Sequence, residues 1–489
     1  MSESTQSFAV LPTTMLLSLV LMLFLPSISA TNYYAYRQPK RNPPQWPNLL
    51  SIDELAMRGG YKATNYEVIT EDGYSLWLHR IGNNSGPPVL MQHGVMVAAE
   101  QWITRGPNRD LAFFLLKEGY DVWLSNLRGT AFNEYSIKYS KSDRRFWDFS
   151  LQENGMYDLP AFIDTILDIR KLEQLYYIGH SQGTAVFFVM CSTKPEYNDK
   201  IRGAVLMSPI AYTPAVAKQA PSIRIIATRA EFINRVLRNL GIYSLGIRTE
   251  QTINFLRETC VNNESTRVLC LDLLGLSSGE DRNNLNIDEW NFFVPYYGAG
   301  TSLYVVLQFA QFYTTGEFKA LDLGPIANLE KYGSVKPPPY NLKLVTAPTA
   351  LIWGNNDVLT SESSVKRLAS DLQNVLIVKA VPDPKFNHVD MYIGDNAPYI
   401  LYPDIIQIIN SMGENKSSSE IWKNLKSPIN TITQESYSYP KKNPVIKEEK
   451  KLLALTVRLT KLYSQQNPSS NLKKLFGLET TDDEYYYED

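Results

Sequence analysis

Cysteine and histidine are both scarce in this chain. Three cysteines among 489 residues exclude a disulfide-built scaffold and any four-thiolate zinc site. The four histidines are His79, His93, His180 and His388, so any imidazole chemistry has only four seats. Neither sign of charge is in excess: 48 Lys and Arg against 50 Asp and Glu leave a formal net charge of −2. That balance gives no global electrostatic footprint for nucleic acid. Long hydrophobic runs are missing too. The uncharged apolar stretch at residues 15–25 (MLLSLVLMLFL) falls short of the roughly 20 residues that a membrane span needs.

What is present describes a large folded protein. Hydrophobic residues make up 44% and charged residues 20%, which excludes a chain disordered throughout. At roughly 150 residues per domain, the length alone predicts two to three domains. Residues 1–30 read as a secretory signal: the apolar run is broken by Pro26 and followed by small residues at 27–30 (SISA) that fit cleavage. Its n-region carries Glu3 and no Lys or Arg, and the alternative is an uncleaved anchor. Cleavage leaves no transmembrane span. Sequons at Asn83, Asn263 and Asn415 fit a secretory route and N-glycosylation. That route makes a disulfide possible. Cys260 and Cys270 would close a small loop, whereas Cys191, in an apolar run (VFFVMCST), reads as a buried free thiol.

The pattern along the chain is α/β. Ser51 followed three residues later by Glu54 is a capping box. Asp72-Gly73 between two alternating runs predicts a hairpin. Short apolar strands are then expected at residues 88–92, 121–124, 175–178, 204–207, 349–353 and 375–381. Helical patterns lie between or after them at 111–116, 159–169 and 403–412. Strands of four to six residues alternating with helices predict a mostly parallel central sheet with helices on both faces. Residues 212–335 interrupt the alternation with helical pattern and no clear strand, and read as an inserted helical cap. The division is thus a leader at 1–30, a main domain at 31–412 holding the cap, and an extension at 413–489. The extension carries a Ser-rich linker, leucines at helical spacing (Leu452, Leu455, Leu459, Leu462) among basic residues, and an acidic tyrosine-rich end. A basic amphipathic helix of this kind can dock on a lipid surface. A helix packed on the domain, or a disordered extension, is the plainer reading.

One motif carries the chemistry. Gly179-His180-Ser181-Gln182-Gly183 follows the apolar run LYYI and precedes the helical run TAVFFVM, the context of a nucleophile on a tight strand-to-helix turn. Small residues at Gly179 and Gly183 are needed for such a turn. It would lift the Ser181 hydroxyl above the sheet and aim a helix N-terminus at a developing oxyanion. Serine needs a base. His180 adjoins Ser181 and projects differently, His93 sits after a strand where an oxyanion loop belongs, and His79 lies in the first hairpin. His388 remains, downstream as the order Ser, acid, His requires. Asp357, after the run ALIWGNN, is the expected acid, with Asp383 and Asp390 as rivals. The oxyanion donors are expected to be the backbone N–H groups of Gln182 and of Val95, with Met96 as second choice for the latter. This chemistry calls for no metal and no cofactor.

These residues resemble those of the acid lipase family of α/β-hydrolases, which includes gastric and lysosomal acid lipases. The resemblance runs from about residue 50 to 412. It rests on YEVITEDGY (66–74), LMQHG (90–94), GYDVWLSNLRG (119–129), FWDFSLQENGMYDLPA (146–161), YIGHSQG (177–183), Asn356-Asp357 and Asn387-His388-Val389-Asp390. It implies an α/β-hydrolase fold, a triad at Ser181, Asp357 and His388, backbone donors at Val95 and Gln182, and a cap disulfide matching Cys260 and Cys270. The chain departs from the family at Ser125-Asn126, in the run at 296–302 (YYGAGTS), and at Ser364 where the family carries Asp. The implied function is a serine carboxylic ester hydrolase that cleaves neutral lipid esters, such as triacylglycerols or sterol esters, at a lipid–water interface. It would be secreted or, alternatively, lysosomal. The alternatives are a lipid carrier that has lost catalysis and an esterase of small soluble acyl esters.

Overall fold

The computed structural model describes residues 42–213, 221–414 and 416–425. The expected leader, the sequon at Asn415 and the leucine-bearing run at 451–463 lie outside the described residues.

The chain enters through α1 (Ile52–Arg58), whose start is closed by the expected capping box. The Ser51 N–H donates to Glu54 Oε2 at 2.7 Å and the Glu54 N–H donates to Ser51 Oγ at 3.3 Å. β1 (Ala63–Ile69) and β2 (Tyr74–Ile81) form the antiparallel hairpin, and Gly73 takes φ +95° in its turn. Six further strands complete the main run of the sheet: β3 (Pro88–Gln92), β4 (Asp121–Ser125), β6 (Leu175–His180), β7 (Ile201–Met207), β10 (Thr349–Trp353) and β11 (Val375–Ala380). Their order is β1-β2-β4-β3-β6-β7-β10-β11, and the short β5 (Tyr135–Ser136) pairs with β2. From β4 to β11 every pairing is parallel.

Helices follow the strands in chain order. α2 (Leu111–Lys117), α3 (Leu159–Arg170) and α4 (Gln182–Thr193) come before β7. The insertion between β7 and β10 holds α5 (Pro221–Asn239), α6 (Glu250–Leu256), α7 (Glu264–Ser278), α8 (Ile287–Phe293), α9 (Leu303–Thr315) and α10 (Pro325–Tyr332). α11 (Glu362–Asp371), α12 (Tyr402–Gly413) and α13 (Ser418–Asn424) complete the described chain.

Side-chain alternation along the strands builds two cores. Val89, Met91, Val122, Ile178, Val205 and Ile352 face α2 and α12 on one side of the sheet. Leu90, Trp123, Tyr177, Leu206 and Leu351 face α3, α4 and α11 on the other. Apolar residues on both faces explain why these strands read as continuous hydrophobic runs. α4 is buried on almost every side, so it carries no polar stripe.

Three features of the strands differ from the sequence expectation. β7 begins at Ile201, ahead of the expected residue 204, because the exposed Arg202 interrupts the apolar run without ending the strand. The insertion contains a two-stranded ribbon, β8 (Ser244–Leu245) with β9 (Thr301–Ser302). Two residues per strand show no alternation to read, and the same holds for β5. Among the described residues no helix is long and apolar enough to cross a membrane.

Within the insertion, Ala227 and Ala230 of α5 meet Ala310 and Tyr313 of α9 in a small core. A second core gathers Cys260, Trp290 and Val294. Cys260 and Cys270 form a disulfide there, and Cys191 is a buried free thiol.

Candidate active site

β6 runs through Gly179 and His180 directly into Ser181, which adopts φ 52° and ψ −113° before α4 begins at Gln182. A left-handed φ at a residue with a side chain is a strained conformation, and such strain collects at functional turns. Two close approaches fix the flanking glycines. A Cβ on Gly179 would lie 2.9 Å from the Gly183 carbonyl oxygen, and one on Gly183 would lie 2.6 Å from that of Gln92. The Ser181 N–H donates to the Met207 carbonyl at 3.0 Å, which ties the turn to β7. Thr184 donates the first α4 bond back to the Ser181 carbonyl at 2.9 Å. The Gln182 N–H therefore lies ahead of the helical ladder, as an N-terminal donor does.

His388 and Asp357 meet. His388 Nδ1 and Asp357 Oδ2 are 2.8 Å apart. The other carboxylate oxygen, Oδ1, accepts the N–H groups of Leu359 (2.8 Å) and Thr360 (2.9 Å), so the carboxylate plane is set by the loop after β10. With Oδ2 as acceptor, Nδ1 is the donor of this bond, which in a neutral ring leaves the lone pair at Nε2. The rival carboxylates are engaged elsewhere. Asp390 accepts the Asn387 N–H at 2.8 Å, and Asp383 accepts from Lys385 N–H and Asn396 Nδ2. Burial pushes Asp390 up to about 7.

The remaining histidines hold structure. His79 is buried between Asn65 Oδ1 (2.7 Å) and Asn126 Nδ2 (2.9 Å), and burial drives it down to about 3. His93 donates from Nδ1 to the Gly94 carbonyl and accepts the Leu127 N–H at Nε2. Burial lowers it to about 4. His180 donates from Nε2 to the carbonyl oxygen of His388 at 2.9 Å, and the two rings lie 4.9 Å apart. Burial, with His388 beside it, holds His180 well below its ordinary value and so keeps it neutral. The residue next to Ser181 thus grips the backbone of His388.

The loop after β3 is held by ties to its neighbours. The Gly94 N–H donates to Gln101 Oε1 at 3.0 Å. Met96 takes φ 66°, and its carbonyl accepts the N–H of Ala299 from the insertion at 2.8 Å. Val95 sits half-buried between these anchors.

One set of residues escaped the sequence reading. Gln182 Nε2 donates to Asn154 Oδ1 (3.2 Å), Asn154 Nδ2 donates to Asp158 Oδ2 (3.0 Å), and Arg128 Nε donates to Asp158 Oδ1 (2.7 Å). Arg128 also pairs with Asp72 of the β1–β2 turn. Asn154 and Asp158 bound a π-helical turn, Asn154–Asp158, of the kind that often marks a functional site. The run ENGMYDLPA gave no local signal for that geometry. Of the sequons, Asn83 and Asn263 are exposed, and Asn263 caps α7 by accepting the N–H groups of Ser265 and Thr266.

A mostly parallel sheet covered by helices on both faces, with a Gly-x-Ser-x-Gly turn joining its central strand to a buried helix, defines an α/β-hydrolase. Residues 87–392 match the alpha/beta hydrolase fold family, and residues 52–106 match the partial alpha/beta-hydrolase lipase region. The chain is 35% identical to Lipase 1 of Drosophila melanogaster, across 76% of this chain and 84% of the fly protein. It is 34% identical to Lipase member K of Mus musculus, across 75% of this chain and 92% of the mouse protein. It is 33% identical to gastric triacylglycerol lipase of Homo sapiens, across 74% of this chain and 91% of the human protein. The chain belongs to the α/β-hydrolase lipase family and is an ester-hydrolysing enzyme.

Proposed function

We propose that Ser181 is the nucleophile, His388 the general base and Asp357 the acid that orients it. The backbone N–H groups of Val95 and Gln182 form the oxyanion hole. The supporting observation is the 2.8 Å contact of His388 Nδ1 with Asp357 Oδ2, on a loop gripped by the neighbour of Ser181. His388 Nε2 takes the Ser181 proton as Oγ attacks the ester carbonyl, and the oxyanion rests on the two N–H groups. Collapse expels the alcohol, which leaves with the proton from His388. Water, deprotonated by His388, then resolves the acyl-enzyme and restores Ser181.

The substrate class we assign is the neutral lipid ester, triacylglycerol or sterol ester, met at a lipid–water interface. The names of the relatives support it, with residues 212–335 read as a cap over the acyl chains. The place of action is the extracellular space or the lysosome. The disulfide and the exposed Asn83 and Asn263 favour an oxidising, glycosylating route.

The test is ester turnover by the purified protein, with Ser181→Ala abolishing it and a fluorophosphonate probe labelling Ser181. Unchanged turnover in the variant removes the triad, and absence of both turnover and labelling marks a silent lipid carrier. A chain-length series of esters, with and without an oil–water interface, separates a lipase from an esterase of small soluble substrates.

A further inference from the structure

The insertion reaches the site through the end of α7. α7 ends at Ser278, and Gly279 turns the chain away with φ 111° and ψ 137°. The last carbonyls of a helix have no partner within it. Here the Ser278 carbonyl and those of the two residues beyond the helix are taken by the loops that carry the base and the acid. The His388 N–H donates to the Ser278 carbonyl at 3.1 Å. Asn387 Nδ2 donates to the Gly279 carbonyl at 2.8 Å, and Asn356 Nδ2 donates to the Glu280 carbonyl at 3.0 Å.

No side chain fits at the turn. A Cβ on Gly279 would overlap the Asn356 carbonyl oxygen and approach Asn387 Cβ to 2.9 Å. The two loops are also laid against each other, since the Asn356 N–H donates to the Phe386 carbonyl at 3.0 Å. His388 is thereby held at both backbone groups, its N–H by the insertion and its carbonyl by His180. Only the side chain is left to meet Asp357.

We propose that residues 278–280 are a positioning element for the base and the acid, and that Gly279 is the residue that makes the close approach possible. The proposal rests on the triad reading above. Moving the C-terminal end of α7 would drag the peptide of His388 with it.

The experiment uses the full chain and a short soluble ester, which reports chemistry without lipid docking. Gly279→Ala and Asn356→Ala are compared with wild type for kcat, KM, thermal unfolding and the rate of fluorophosphonate labelling at Ser181. Displacing the imidazole by a fraction of an ångström to an ångström costs up to about 10²-fold in rate. Gly279→Ala is therefore expected to lower kcat by about 10²-fold and Asn356→Ala by about tenfold, with KM within about twofold in each. Labelling slows in step with kcat. A support role alone would lower the melting temperature and leave kcat untouched, and that result overturns the proposal. Should Gly279→Ala fail to fold, Asn356→Ala decides on the same readouts. If Ser181→Ala or His388→Ala retains turnover, the triad reading itself is wrong. If both are inactive while Gly279→Ala and Asn356→Ala turn over at the wild-type rate, the triad stands and the positioning element falls.

Discussion

Asp110 is a carboxylate placed where ionisation is expensive. It is buried just ahead of α2, and burial pushes it up to about 7. Its Oδ2 accepts the N–H groups of Arg105 (2.6 Å) and Gly106 (2.8 Å), while Oδ1 has no partner. A group whose folded value is raised contributes stability that is complete below its unfolded value near 4 and is lost as the pH rises through about 7. Asp110→Asn mimics the protonated form and does not titrate. The stability of the variant relative to wild type should therefore rise by roughly 2–3 kcal/mol between pH 5 and pH 8. Denaturant midpoints at the two pH values check this, and a pH-independent difference refutes it. His79 and His93 act in the opposite sense: lowered to about 3 and about 4, they favour the fold above their ordinary value and lose that contribution as the pH falls through those values. The scarcity of histidine made these residues easy to sort by position in the chain. The bond from His180 to the His388 carbonyl could not be read that way, because it spans 208 residues.

Elements explain which parts of the fold were legible. The sheet strands carry apolar residues on both faces, and the hairpin carries Asp-Gly, so both announce themselves locally. The ribbon of β8 and β9 has too few residues for a period. The Ser278 to Glu280 turn gains its meaning from loops about 100 residues away, as the Asn387 bond across 108 residues shows. Likewise Ser364, at the position where the related family carries Asp, closes the start of α11 with Ser361. The elbow itself was legible because its glycines reflect backbone crowding. Gly183→Ala tests that crowding: its Cβ would meet the Gln92 carbonyl oxygen at 2.6 Å, and a backbone atom at the end of β3 cannot swing aside as a side chain can. kcat/KM on a soluble ester is expected to fall about 10²-fold, since α4 and its N-terminal donors must shift relative to the loop after β3. Wild-type kcat/KM in a folded Gly183→Ala protein would show that the approach is not needed.

At the scale of the whole molecule, the described fold continues past the expected boundary at residue 412. α13 is closed by a capping box between Ser417 and Glu420, and its Ile421 is fully buried in the core that α2 and α12 share with the sheet. Arg202 of β7 donates to the Gly413 carbonyl at 2.8 Å, a further tie beyond that boundary. Every residue assigned to the active site lies ahead of residue 413, so chains ended after residue 425 and after residue 412 both keep it and are both expected to turn over a soluble ester. A chain ended after residue 412 loses the buried Ile421, a side chain whose removal costs about 2–4 kcal/mol, and should melt roughly 3–6 °C lower. Scanning calorimetry of the two truncations beside the full chain measures this directly. Equal melting of both would mean that α13 contributes nothing to the core. The chain ended after 425, assayed beside the full chain on a triolein emulsion and on the soluble ester, reads the role of residues 426–489. Loss of emulsion activity alone in the chain ended after 425 would place lipid docking within residues 426–489, because the chemistry is then shown to be intact.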